Sequence, residues 1–331
     1  MAASYPTSVK SFSAKVNGDL IAATHVTDLE AEVVAIETAL LGTLAGPLSL
    51  AEGRLTLTSG TPVTTADVSA AATAYYTPYI GNGISLYDGS TAWAKYTFTE
   101  ITISLVGLTA SKPYDIFAYN SSGTVTIETL VWTSATARAT ALAYQNGVLV
   151  KSGATTRRYL GTIYINSTGG QTDDTVLKRF VWNYYNRVPR FLRVTDLTDS
   201  WTYTTATWRQ ANAASANKCE VLIGVAEVLL DLRLNMSADN TSGDNNVSAY
   251  INIAEDSITA PTQGMGGHVQ VANFNDTLLG SWLMKYPVIG YHYYAWLEWS
   301  TAAGTTTWRS DNGNGAIGAE VQSGILGMIQ G

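Results

Sequence analysis

Pro113-Tyr-Asp-Ile-Phe-Ala-Tyr119, Asn120-Ser-Ser-Gly123 and Thr124-Val-Thr-Ile-Glu-Thr-Leu130 follow one another and read as strand, turn, strand. Asn, Ser and Gly supply the tightly bent backbone that a hairpin needs, while the β-branched and aromatic residues on either side prefer extended chain. The same grammar runs in both directions. Arg54-Leu-Thr-Leu-Thr58 alternates polar and apolar residues up to Ser59-Gly-Thr-Pro62, and Ile101-Thr-Ile-Ser-Leu-Val106 puts Ile101, Ile103 and Leu105 on one face. Asn146-Gly147 separates Leu142-Ala-Tyr-Gln145 from Val148-Leu-Val-Lys151, a second hairpin. The Ala-rich stretch from Ser134 to Ala141 is expected to form a helical turn or two. Further on, Glu220 to Leu234 is apolar enough for buried strands broken near Gly224. Ala238-Asp-Asn-Thr-Ser-Gly-Asp-Asn-Asn246 reads as an exposed loop and Val288 to Trp299 as an aromatic-rich strand. Short strands spaced by Gly, Asn and Ser predict a mainly β chain of β-sandwiches or barrels, not an α/β enzyme.

Composition sets the outer limits. The 331 residues are 46% hydrophobic and 10% aromatic, enough for a substantial core and against disorder. Only 14% are charged, against about 25% in an ordinary soluble domain, so the surface is built from uncharged polar groups. A formal charge of -7 argues against nucleic acid as a partner. Cys219 is the single cysteine, which excludes a disulfide-stapled miniprotein. No apolar run is long enough for a membrane span. Met1-Ala-Ala-Ser-Tyr-Pro-Thr-Ser lacks the features of a secretory signal, so the chain is expected in the cytosol or inside something larger that leaves it. The Asn-x-Ser/Thr triplets at Asn120, Asn166, Asn235, Asn240, Asn246 and Asn275 are what a Ser/Thr-rich sequence yields by chance.

Three regions are expected: residues 1–49, 50–170 and 171–331. In the first, Val26, Leu29, Val33, Ile36 and Leu40 recur at alternating steps of three and four, the seam of a short coiled coil over about 26–41. Thr27 and Glu30 have the spacing of a capping box, and Gly42 suits a C-terminal cap. Ile36 at d with Val26 and Val33 at a leans towards more than two strands. Glu30, Glu32 and Glu37 would repel one another in a parallel bundle, so an amphipathic helix lying on its own domain is the alternative.

Catalytic parts are scarce. The three histidines, His25, His268 and His292, lie in separate stretches, and no HExxH, CxxC or G-x-S-x-G occurs. Neither a metal nor a cofactor is expected. Cys219 precedes an apolar strand and reads as a buried structural thiol. Asp173-Asp174 and Glu255-Asp256 are neighbours that a strand would point to opposite faces. Asp196 and Asp199, with Trp201 and Tyr203 behind them, have a composition suited to stacking on a sugar. Gly264-Met-Gly-Gly267 lacks the lysine and helix of a phosphate loop.

The most unusual stretch is Lys178 to Arg193, in which Arg179, Trp182, Tyr184, Tyr185, Arg187 and Arg190 interleave cations with aromatic rings. Between Lys151 and Ser200 there are eight basic residues and four acids. Such a patch serves an inter-subunit or inter-domain interface, a ligand contact, or single-stranded nucleic acid; in an acidic chain the interface is the favoured reading.

Tyr5-Pro-Thr-Ser-Val-Lys-Ser-Phe with the Ala23-Thr-His-Val-Thr-Asp-Leu-Glu helix resembles the N-terminal attachment segments of tailed-bacteriophage fibre and spike proteins. Thr61-Pro-Val-Thr-Thr-Ala-Asp, Leu86-Tyr-Asp-Gly-Ser and Ser152 to Thr162 look like a β module of phage virion proteins. Ser323-Gly-Ile-Leu-Gly-Met-Ile is similar to the last strand of trimeric jelly-roll knobs. The resemblance implies a homotrimeric virion fibre with no catalytic residues, assembled in the host cytoplasm. Its N-terminal segment would bind other virion proteins and its C-terminal knob a host-surface glycan, with Trp201, Tyr203, Trp308, Asp311 and Asn312 as contacts. A capsid-bound head fibre or decoration protein and a polysaccharide depolymerase are the alternatives.

Overall fold

A computed structural model of the chain describes residues 23–43, 50–243, 247–262, 266–270, 277–310 and 323–331. The expected helix is present as α1 (Ala23–Thr43), longer at both ends than 26–41. Thr27 and Gly42 therefore stand inside the helix and do not cap it. Val26 (49% exposed), Leu29 (56%), Val33 (45%) and Ile36 (44%) lie in water, while Asp28 and Glu32 are buried. The helix thus has an acidic pair covered and its apolar seam open, the reverse of the burial pattern of an amphipathic helix lying on a core.

The rest is mainly β. β1 (Gly53–Thr56), β2 (Val68–Ala71) and β3 (Thr73–Pro78) precede the hairpin of β4 (Gly83–Tyr87) and β5 (Trp93–Thr97), and β6 (Ile101–Ser104) returns beside β3. β7 (Lys112–Ser121) and β8 (Thr124–Val131) are the first hairpin read above, with Ser121 opposite Thr124. β9 (Leu142–Gln145) and β10 (Val148–Lys151) are the second. Its turn needs two left-handed residues, and Asn146 (φ +51°) and Gly147 (φ +83°) provide them. β11 (Ala154–Ile165) lies between β7 and β10. Leu55, Tyr76, Ile84 and Phe98 pack against Ile116, Leu160 and Ile163 to form the core of this first sandwich. Ser134 to Ala141 forms bends and no helix, because its backbone is used elsewhere: the carbonyl of Ala135 accepts the Tyr291 N–H at 2.9 Å.

The expected boundary at 170/171 separates strands that are hydrogen-bonded to each other. β12 (Thr172–Asp174) pairs with β2, β13 (Lys178–Arg179) follows it, and β14 (Val181–Asn183) pairs with β11. From there the second sandwich begins with β15 (Pro189–Thr195), β16 (Ser200–Thr202), β17 (Arg209–Gln210) and β18 (Lys218–Ile223). It continues with β19 (Leu230–Asn240), β20 (Ser248–Glu255), β21 (Gly267–Gln270) and β22 (Thr277–Lys285). It ends with β23 (Gly290–Ser300), β24 (Thr306–Arg309) and β25 (Gly324–Gln330). β15 with β16, and β24 with β25, each act as one interrupted strand. One sheet then places first, last, third and sixth strands side by side, and the other the second, seventh, fourth and fifth. That interleaving is the order of an eight-stranded jelly roll.

Alternating residues of both sheets fill the space between them. Leu192, Leu232, Leu234, Leu283 and Ile325 meet Val221, Ile251, Tyr294 and Trp296. β19 runs further than expected: Ala238, Asp239 and Asn240 are buried strand residues, not loop. Asn240 Nδ2 donates to Thr306 Oγ1 at 2.7 Å and Arg309 pairs with Asp239, so the polar side chains are satisfied where they are buried.

Candidate functional site

The cationic and aromatic stretch lies at the junction of the two sandwiches, held from within the chain. β13 and β14 carry Arg179 and Trp182 out of the first sandwich, and β15 carries Arg190 into the second. Asp174 sits between two guanidinium groups, 2.9 Å from Arg179 Nη1 and 2.6 Å from Arg190 Nη2. Arg190 Nη1 also donates to the Thr64 carbonyl at 2.7 Å, and Arg179 Nε to the Phe191 carbonyl at 2.9 Å. Arg54 reaches the same region, donating to the carbonyls of Pro62, Asn186 and Gly331. Burial, helped by nearby Arg190, draws its guanidinium down to about 10.

Trp182 is buried with Phe117, Tyr159 and Tyr164 of the first sandwich and Leu222 of the second. Arg187 lies 4.7 Å from the Trp182 ring centroid and pairs with Glu227. Tyr185 is half-buried beneath Arg158, 4.6 Å from its ring centroid, and Tyr184 packs edge-on against Tyr185. Arg138 crosses the junction as well, 2.8 Å from Asp115 and 2.6 Å from the Gly224 carbonyl. Arg179, Trp182 and Arg190 are buried inside one chain and so are not free for a contact between chains.

Two of the expected glycan contacts, Trp201 and Trp308, are not brought to a surface. Trp201 and Trp308 are directly paired across β16 and β24, which points both rings to the inner face. Trp201 Nε1 donates to Glu298 Oε2 at 2.7 Å and Trp308 Nε1 to the Tyr203 carbonyl at 3.2 Å. Both indoles are core residues, a correction to the sugar-stacking expectation. Tyr203 has the Arg209 guanidinium 3.8 Å from its ring centroid. Asp311 and Asn312 lie outside the described residues, and of Leu40 only the backbone is described.

Behind Trp201 is a closed polar cluster. Glu298 accepts from Trp201, from Arg209 Nε at 2.7 Å and from the Asn212 N–H at 3.3 Å. Burial pushes its carboxyl up to about 7, against the pull of Trp201 and Arg209. Asp196 takes Asn217 Nδ2 at 2.7 Å and Asn212 Nδ2 at 3.1 Å. Burial raises Asp196, but Asn217 and Thr198 outweigh it and hold the carboxyl below its ordinary value. Asn212, at φ +54°, thus bridges two carboxylates. Glu298 has no accessible surface, so the pair ties β16, β17 and β23 together and offers no substrate a route in.

Of the remaining titratable candidates, His292 and Asp256 are brought together as a pair. His292 Nδ1 is 2.7 Å from Asp256 Oδ2; burial lowers its pKa, but Asp256 outweighs burial and raises it. Burial pushes the Cys219 thiol up to about 12, so it is no nucleophile near neutral pH. Among the described residues no group of three or more His, Cys, Asp or Glu is placed to hold a metal, and no helix is long and apolar enough to cross a membrane.

Sequence reading passes over the outer face of the second sandwich. There Trp282, Arg233, Asn235 and Gly280 line a shallow cleft of about 230 Å³. Trp282 Nε1 donates to Asp231 Oδ1 at 2.6 Å, and Arg233 lies 4.7 Å from the ring centroid. The signal was available: Thr277 to Lys285 is apolar at both odd and even positions, the mark of a strand with two faces to cover.

No protein-family model and no curated protein sequence matches this chain. Solved structures give distant likenesses only. The mosquito-larvicidal Cry4Aa toxin from Bacillus thuringiensis is 7% identical over 78% of this chain, with a TM-score of 0.23; the match spans about half (49%) of the toxin chain. The infectious bursal disease virus Gx strain structure is 11% identical, covering 89% of this chain and 85% of that one, with a TM-score of 0.25.

Proposed function

We propose that this chain is a non-enzymatic structural protein of a tailed-bacteriophage virion, a fibre or spike built from three copies. Residues 1–49 attach it to other virion proteins, and the C-terminal jelly roll faces the host surface and its glycans. The observation that carries the reading is the open seam of α1: Val26, Leu29, Val33 and Ile36 stand in water on one 21-residue helix. Such spacing finds its cover in parallel copies of the same helix. The closed Glu298–Asp196 cluster supports a role without turnover, since its carboxylates are consumed in holding strands. With Trp201 and Trp308 in the core, any glycan contact falls to other residues of the knob.

Antibody-gold labelling of intact virions tests the placement, and adsorption of purified protein to host cells tests the attachment. Label on the virion with saturable adsorption is the expected result. Absence of the protein from purified virions, or release of oligosaccharides from host capsule, would overturn the reading.

A further inference from the structure

The outer face of the sheet β15–β25–β19–β22 is apolar where an isolated domain would be polar. Register aligns Phe191, Met328, Asp231 and Met284 in one row across four strands, and Arg193, Leu326, Arg233 and Trp282 in the next. Leu278 stands two pairs further along β22. Their inward neighbours, Leu192, Leu232, Leu283 and Ile325, already fill the core, so this second apolar face has no cover within the described chain. Phe191, Leu278, Trp282, Met284, Leu326 and Met328 are between 36% and 73% exposed. Together they leave on the order of 600 Å² of apolar surface in water, the upper end of the largest patch on a typical monomer.

We propose that a second copy of this chain covers the face, so that the C-terminal jelly rolls pack against one another; this rests on the multichain reading above. Area favours it, because each partner in a standard interface contributes about 800 Å². Composition favours it too. The rows carry Phe, Trp, Met and Arg, the residues enriched in protein interfaces, and no Lys or Glu. Charge then selects the geometry. The face holds two arginines against one aspartate, while the whole chain carries -7. Arg193 has no ion pair among the described residues, and Arg233 shares Asp231 at 3.6 Å. A face of this sign is poorly matched to itself and well matched to the acidic remainder of a neighbour. Rotational, head-to-tail packing makes that match, and a three-fold rotation closes it into a ring.

Native mass by light scattering, on the full chain and on a Met284→Asp/Leu326→Asp double variant, tests the proposal. The wild type should run near three times the 35.3 kDa of one chain. On dilution the double variant, held by the α1 seam alone, should fall towards one chain at concentrations where the wild type stays assembled, with its circular dichroism unchanged. Peroxide oxidation of the wild type gives a second readout that needs no variant. Assembly should slow oxidation of Met284 and Met328 by roughly tenfold relative to dilute single chains, with buried Met236 as the control that is protected throughout. Equal dissociation of wild type and double variant on dilution, or unslowed oxidation of both methionines in the assembly, would sink the face while leaving the fibre reading intact. A single-chain wild type would sink the face and the trimer together, and virion labelling would still decide the fibre. Binding of single chains to phosphatidylglycerol vesicles through this face, abolished in the double variant, would replace the second copy with a lipid surface.

Discussion

Glu298 keeps its proton up to about pH 7 in the folded chain, whereas an ordinary glutamate releases it near 4.5. Between those values the folded state binds more protons than the unfolded one, so stability falls as pH rises. The span corresponds to an order of 3 kcal/mol at most. Asp196 acts with the opposite sign: held below its ordinary value of 3.8, it contributes stability above that pH which is lost as acid protonates it. From these two groups alone, thermal melts of the wild type should be highest between these regimes, near pH 4. Glu298→Gln should flatten the decline from pH 5 to 8, and an unchanged slope in that variant would show the carboxyl to be ionised throughout. Asp174 makes a harsher test, because it stands between two buried guanidinium groups. Asp174→Ala leaves both without a carboxylate and should cost about 3–5 kcal/mol in urea unfolding. A loss below 1 kcal/mol would mean that carbonyls alone satisfy Arg179 and Arg190.

Among elements, β11 carries a tight constraint. A Cβ on Gly161 would come within 2.2 Å of the Trp182 carbonyl oxygen on β14, a backbone atom that cannot swing aside. Gly161→Ala should therefore push β14 off β11 and destabilise by about 1–3 kcal/mol, visible as faster hydrogen exchange at Val181 to Asn183. Protection equal to wild type there would show that β11 shifts at its own irregularity beside Tyr159 instead. This contact also marks where the sequence stops being legible. Both hairpins can be read from their turns, since Asn120 to Gly123 and Asn146-Gly147 state their own geometry. The seam of α1 can be read from its spacing. Arg179 to Arg190 can be recognised as interface chemistry, but not as a junction inside the chain. That depends on β12 returning to β2, a strand far earlier in sequence, and no local pattern encodes such pairing. Trp201 and Trp308 fail for a related reason. Which face of a short strand is inward is set by its partners, so an indole in a polar stretch looks like a ligand contact until the sheet is assembled.

At the scale of the whole molecule, the two sandwiches share a core and not merely a linker. Phe180 and Tyr164 of the first lie against Tyr291 of the second, with ring centroids of Tyr164 and Tyr291 4.5 Å apart. Trp182 closes the same cluster beside Leu222, and Arg138 and Asp174 add polar ties that neither sandwich satisfies alone. Burying such aromatic surface couples the stabilities of the two units, so they should unfold together. Calorimetry of the wild type is expected to show one transition whose calorimetric and van't Hoff enthalpies agree. Trp182→Ala removes the largest shared side chain and should cost about 3–5 kcal/mol. Because that loss falls on the junction, the single transition should separate into two, the first sandwich melting apart from the jelly roll. Two transitions already present in the wild type would mean that the junction is contact without coupling. For the virion fibre proposed above, the coupled arrangement would let force applied at one end pass through the aromatic cluster without either sandwich opening first.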